Sequence, residues 1–294
     1  MTWSVPDTMV LARVVDRAPS VHHTRPWILG IGRDCAELSE RVVSGLPEHD
    51  PLGRDRVISC GAALANLELA ARWLGKAASM KLLPDARRTE LVGRLRVCGT
   101  REPDRSDTDR YVAVFRRRSH RSPFGLGELT QAELRALRRE GASTGVEVRA
   151  FEPRTDSAPL AELLRHAASV LGHDERYQRE LEAWTWRFPE PLPAGSSVPW
   201  AGLVRGDTRV PDLATLTARL ETERLLLFLT PGDTRRDHLL AGIGLQRTWL
   251  TAVTRGLVAS VLTQPFRVQE VRAGLIERFE LAGYPQLFLR VGHR

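Results

Sequence analysis

The 294-residue sequence predicts an α+β fold made by internal duplication. Three observations carry that expectation. A segment opening at Gly61 matches one opening at Gly242 without gaps. Each copy follows one plan: a helix, a short strand, a second helix and a β-rich close. The composition, 42% hydrophobic and 27% charged, suits a chain that buries a core.

The repeat is read residue by residue. GAALANLELAARWLGKAAS meets GIGLQRTWLTAVTRGLVAS. Gly61/Gly242, Leu64/Leu245, Leu69/Leu250, Ala71/Ala252, Gly75/Gly256, Ala78/Ala259 and Ser79/Ser260 are identical, and Pro84 and Pro265 follow in register. Self-similarity of this kind is sought before anything else, because missing it misreads the fold. In the first copy Leu64, Leu67, Ala71 and Leu74 recur at helical spacing. Gly75 and Gly256 stand where a helix C-terminal glycine belongs. Further helices are expected over Arg87 to Arg94 and Val268 to Arg278. LRVCG (Leu95 to Gly99) resembles LRVG (Leu289 to Gly292) and closes each copy.

The two halves are expected at 1–105 and 106–294, joined by the polar stretch Gly99 to Arg110, a linker by composition. A helix is expected over Met9 to Arg17, a strand over Tyr111 to Phe115, and paired helical segments over Leu160 to Thr185. The Pro- and Gly-rich stretch at 188–212 is long for a plain connection and reads as a lid. Trp184, Trp186 and Trp200 in or beside it favour an ordered cover.

Charge excludes some partners. The net charge is +7, yet of 43 lysines and arginines only Lys76 and Lys81 are lysines, and the arginines are scattered among 36 acids. This is no basic tail, so nucleic acid is not an expected partner. No apolar run is long enough for a membrane span. The N-terminus lacks a basic region followed by an apolar block, so no signal peptide is expected. Cys35, Cys60 and Cys98 are odd in number and lack CxxC spacing, which reads as a reducing, cytoplasmic setting with no disulfide frame and no zinc knuckle. Cys60, expected at a helix start, has no His or Asp partner in view and is a poor nucleophile.

Two stretches carry chemistry. APSVHHTRPW (Ala18 to Trp27) is a turn with rigid Pro19 and Pro26, polar Ser20, His22, His23 and Thr24, and the apolar wall of Trp27. Adjacent histidines rarely share one metal, and no further ligand falls at the right spacing, so no metal is expected. RRRSHRSPF (Arg116 to Phe124) gathers guanidinium groups around Ser119. Such groups grip phosphate in a bidentate way. No G-x-G-x-x-G follows a strand; GIGLQR (Gly242 to Arg247) lacks the third glycine.

These stretches resemble the motifs of the FMN-dependent nitroreductase-fold family. APSVHHTRPW is similar to the family's APSxHNxQPW, RRRSHR to its RRSxR phosphate loop, GLVASVLTQP (Gly256 to Pro265) to the segment beneath the flavin, and LRVG to its last core strand. The order of the motifs, the duplication and ISCGAAL (Ile58 to Leu64) resemble the Acg-type subgroup, in which two nitroreductase halves are fused. The resemblance implies antiparallel or mixed sheets flanked by helices. It also implies a pseudo-dimer with a single FMN, because half one holds the APS turn alone and half two the Arg-rich loop alone.

By residue, the resemblance assigns Arg117, Ser119 and Arg121 to the phosphate and ribityl, with Arg118 a spare cation and Arg290 a weaker phosphate candidate. It places Pro19 and Ser20, on the turn that also carries His22, against the flavin. Leu262, Thr263, Gln264 and Pro265 would meet the ring. His23 and Arg25 replace the family's Asn and Gln, exchanging an amide for an imidazole and for a permanent cation. The sequence stops at Gly292-His293-Arg294, where the family usually continues with a basic tail.

The function implied is an FMN-dependent oxidoreductase without a catalytic triad. It would pass hydride from NAD(P)H to a quinone or nitro compound, or from a specialised metabolite. The rivals are a non-catalytic protein that sequesters FMN beneath the 188–212 lid, and a flavin-free descendant that uses His23 and Arg25 otherwise. The expected partner is a small-molecule substrate, and the expected state a monomer or weak homodimer.

Overall fold

The structure is a computed structural model that describes residues 2–42, 46–142, 145–187, 198–199 and 203–294. It consists of two four-stranded antiparallel sheets, each flanked by helices, with one strand order used twice. In the first sheet the strands are β1 (Trp27–Ile31), β2 (Cys35–Glu40), β3 (Lys76–Leu82) and β4 (Leu91–Thr100), ordered β1-β2-β4-β3. In the second they are β5 (Glu147–Ala150), β6 (Leu225–Thr230), β7 (Val258–Leu262) and β8 (Tyr284–Gly292), ordered β5-β6-β8-β7.

The duplication extends to the register. Ala78 pairs with Val97 and Ser79 with Arg96 in the first sheet. Ala259 pairs with Val291 and Ser260 with Arg290 in the second. The long helices α2 (Arg54–Trp73) and α8 (Arg235–Thr254) match as well, each of 20 residues. Gly75 and Gly256 follow them at φ 73° and 76°, the left-handed conformation that ends a helix without a Cβ penalty.

α2 and α8 cross at their matched glycines. A Cβ on Gly61 would run into the Leu239 carbonyl, and one on Gly242 into the Ile58 carbonyl. The contact is therefore backbone on backbone. Nearby, the buried Gln246 Nε2 donates to Asn66 Oδ1 at 2.7 Å, and Asn66 Nδ2 donates to the Val14 carbonyl at 2.8 Å. At the rim Arg247 pairs with Glu68 at 2.6 Å. From Val57 to Ala71 almost every residue of α2 is buried, so the helix is a core element and not an amphipathic cover.

The other helices are α1 (Val5–Val15), α3 (Arg105–Arg116), α4 (Gln131–Ala142), α5 (Pro153–His173), α6 (Glu175–Arg187), α7 (Leu213–Glu221) and α9 (Gln269–Arg278). α3 connects the two sheets and packs on both α2 and α8. α5 to α7 enter between β5 and β6, where the first half has only a hairpin.

Three expectations need correction. Tyr111 to Phe115 is helical, not a strand. The run is β-prone, but Asp104 and Asp107 form a capping box that starts α3, and Tyr111 stacks on Trp73 at 3.9 Å. The supposed linker at 99–110 is accordingly the end of β4 and the first turns of α3. The segment Arg87 to Arg94 is a turn followed by β4, because Leu91, Val92 and Leu95 are drawn into the sheet core. The lid expected at 188–212 lies mostly outside the described residues.

Gly242→Val tests the crossing. Overpacking a tight core contact costs about 1–3 kcal/mol. The urea midpoint is expected to fall by that much at unchanged m-value; an unchanged midpoint would mean the helices can part freely.

Candidate functional site

Where the halves meet, the structure holds a cavity of about 690 Å³. One wall is the turn that follows α1. Three non-glycine residues there, His22, His23 and Arg25, have φ of 46°, 55° and 45°. Such conformations carry strain of about 1–3 kcal/mol each and persist only where neighbours over-determine them. Here Ser20 Oγ accepts the Arg25 amide at 3.1 Å, and Arg41 donates to the Thr24 carbonyl at 3.2 Å. Arg25 is exposed and lies 3.7 Å from Asp16.

The opposite wall is the loop after α3. Ser119 bridges to Ala259 on β7, and the His120 amide donates to the Ala259 carbonyl at 2.9 Å. The loop thus adds an edge to the second sheet. Arg117 donates to the Arg17 carbonyl at 2.9 Å and lies over the Trp249 ring at 4.5 Å, while its buried Nε has no acceptor. Burial and the neighbouring Arg118 push the Arg117 guanidinium down to about 10. Both act against the charged form of this guanidinium.

The floor comes from the start of α2 and the end of β7. Asp55 is buried 2.6 Å from Arg54 and 3.7 Å from the His49 ring. Burial resists its ionisation, but Arg54, His49 and the Thr263 hydroxyl outweigh this and hold it at about 2. His49 and Gln264 are buried side chains whose polar atoms have no hydrogen-bond partner. Trp184 of α6 stacks on His22, ring centres 6.3 Å apart. Burial, then His49, Arg121 and His23, depress the His22 imidazole to about 3.

The residues singled out in the sequence are distributed as follows. Pro19, Ser20, His22, His23, Arg25, Arg117, Arg118, Ser119, Arg121, Leu262, Thr263 and Gln264 line this one cavity. Pro265 is buried just behind it. Arg290 does not line it. It is buried in a bidentate pair with Glu223, at 2.8 and 2.7 Å. It also donates to the carbonyls of His120 and Ser122, at 3.2 and 3.4 Å. In the structure its guanidinium is paired with Glu223 and fastens the loop after α3. Cys60 is also displaced from expectation: it sits inside α2, where burial raises its thiol, and it contacts the Pro26 carbonyl at 3.1 Å.

No family model matches the chain. Curated relatives do. "Putative NAD(P)H nitroreductase Rv3131" of Mycobacterium tuberculosis is 29% identical over 310 residues, covering 99% of this chain and 87% of the relative. "Putative NAD(P)H nitroreductase acg" of the same organism is 25% identical over 306 residues, covering 98% and 91%. The chain is a homologue of these proteins over nearly its full length. Among solved structures, the FMN-dependent nitroreductase NfnB from Mycobacterium smegmatis aligns with 63% of this chain and 87% of its own, at 15% identity and a TM-score of 0.43. The repeated sheet topology shows an α+β fold with one strand order used twice.

Arg17, His49, Asp55 and Ser59 also line the cavity and escaped the sequence reading. For His49 and Asp55 the one signal was the polar segment before the first repeat, where His49 precedes a buried helix and Asp55 lies in its first turn.

Two outcomes follow. The unfolded chain binds a proton at His22 near pH 6.5, whereas the folded state resists it until about 3. Stability therefore falls as pH drops through that window. His22→Gln is expected to flatten that slope in urea titrations between pH 6.5 and 4; an unaltered slope would place the effect elsewhere. Glu223→Gln, which strands the buried Arg290 charge, should cost about 3–5 kcal/mol in the same assay.

Proposed function

We propose that the cavity binds one FMN and that the protein is an oxidoreductase of nitroreductase type, with NAD(P)H as reductant and a small organic acceptor. The observation that carries this reading is the convergence of a cationic loop from one half and a strained polar turn from the other on one cavity. Its volume falls within the usual range for cofactor sites, about 300–1,000 Å³. The fit is chemical as well. Arg117 has a buried Nε without an acceptor, and Gln264 has a buried amide without a partner. A phosphate answers the first and a flavin ring edge the second.

In this reading Arg117, Ser119 and Arg121 hold the phosphate and ribityl, with Arg118 adding charge. Pro19 and Ser20 pack on the ring from the other half, and Leu262, Thr263 and Gln264 meet its edge. Bound FMN supplies two-electron hydride chemistry, while the protein binds, orients and excludes water. Arg25, on the cavity wall, adds a positive potential that favours an anionic reduced state electrostatically.

A second reading, in which FMN is held without turnover, is favoured by Leu203. It belongs to the 188–212 stretch and lines the cavity. Purified protein that absorbs in the flavin range and oxidises NAD(P)H rapidly with 1,4-benzoquinone supports the enzyme. Flavin absorbance without turnover supports sequestration. A colourless protein that takes up no FMN rejects both.

Arg117→Ala is expected to weaken FMN binding about tenfold or more, since a charge-assisted hydrogen bond contributes about 1.5–3 kcal/mol. Flavin titration of the variant checks this. Unchanged affinity would remove the loop from the site.

A further inference from the structure

The cavity has a second polar end that the cationic loop does not explain. His49 is only 6% exposed and lines the cavity, and neither ring nitrogen has a hydrogen-bond partner. Buried polar atoms left in this way call for an explanation. The ring is held in place from all sides. It stacks on Tyr177 of α6 at 5.9 Å and meets His22 edge-on at 5.4 Å. Glu180 of α6 accepts the backbone amides of Glu48 and His49, at 3.0 and 2.7 Å. Arg267 covers the far face of this cluster, over the Tyr177 ring at 5.0 Å, and donates to the Glu48 carbonyl. Asp55 Oδ2 lies 3.7 Å from Nε2. An imidazole held beside a buried carboxylate on the wall of a cavity is placed to serve as a proton donor.

We propose that His49, backed by Asp55, hydrogen-bonds the reducible oxygen of the acceptor and delivers the proton that its two-electron reduction requires. The inference rests on the flavin reading above. For a quinone the balance is explicit. The acceptor gains a hydride, supplied by reduced flavin and ultimately by NAD(P)H, and one proton, giving the hydroquinone. The proton leaves a His49 ring nitrogen: the N–H bond breaks, an O–H bond forms, and the imidazole regains a proton from water. Asp55 stays ionised throughout, its carboxylate facing the ring.

The charged and titratable groups set against His49 are Asp55 from α2, His22 from the turn, and Tyr177 and Glu180 from α6, with Arg267 over Tyr177. His22 is held neutral by its burial and cationic neighbours, so it does not compete as donor. Tyr177 is pushed further from ionisation by burial. His49 is the one ring in this group with a carboxylate at ion-pair distance.

The test uses FMN-loaded wild type, His49→Gln and Asp55→Asn. Binding of 4-hydroxybenzaldehyde, read through the absorbance of the oxidised flavin, reports oxygen recognition without turnover. Turnover is compared for 1,4-benzoquinone, which needs a proton, and ferricyanide, which takes electrons alone. His49→Gln is expected to weaken the probe about tenfold and to lower the benzoquinone-to-ferricyanide ratio of kcat about tenfold or more, with FMN affinity within about twofold. In wild type, D₂O should slow benzoquinone at least about twofold more than ferricyanide. Equal isotope effects overturn the proposal whether or not the variants fold. So do unchanged probe binding and ratio in FMN-loaded His49→Gln. Wild type that takes up no FMN instead removes the flavin reading on which the proposal stands.

Discussion

The rest of the structure depends on the approach of α2 to α8 at Gly61 and Gly242. With no Cβ at either position, two buried helices meet at backbone distance. The cavity floor is tied to that crossing. α2 brings Asp55, Ile58, Ser59 and Ala62 to the floor, and α8 brings Leu245. α8 ends at Gly256, and β7 then carries Ser260 to Leu262 back along the cavity. A bulkier residue at the crossing would move these walls relative to one another before any ligand contact changed.

The two halves share strand order and register but not chemistry. Arg96 and Arg290 occupy the same register position, opposite Ser79 and Ser260. Arg96 is exposed, whereas Arg290 is buried against Glu223. The difference lies in the loop after α3, which runs beside β7 and covers the second sheet edge. Arg290 donates to two carbonyls of that loop and so positions it.

The cavity is also divided electrostatically. At one end the guanidinium groups of Arg117, Arg118 and Arg121 gather and create a field for an anion. At the other, a buried carboxylate, an imidazole and an amide offer hydrogen bonds to neutral oxygen and nitrogen atoms. An elongated ligand with a charged tail and a polar ring satisfies both ends at once. The strained turn at His22, His23 and Arg25 closes the space between them, held by Ser20 and Arg41 rather than by local preference.

The sequence by itself determined the duplication, the helix-ending glycines, and most of the residues that gather at the cavity. Each is written in identity at a fixed offset or in a short run of one chemical type. It misjudged the conformation of Tyr111 to Phe115 and of Arg87 to Arg94, where a capping box in one case and sheet burial in the other overrode local propensity. Only the tertiary structure decided that Arg290 fastens the loop, that Cys60 is sealed inside a helix, and that His49 faces Asp55 across the cavity floor. Those outcomes depend on burial and on partners far away in sequence. A residue type fixes its possible interactions, but the packing of other elements around it selects which of them is made.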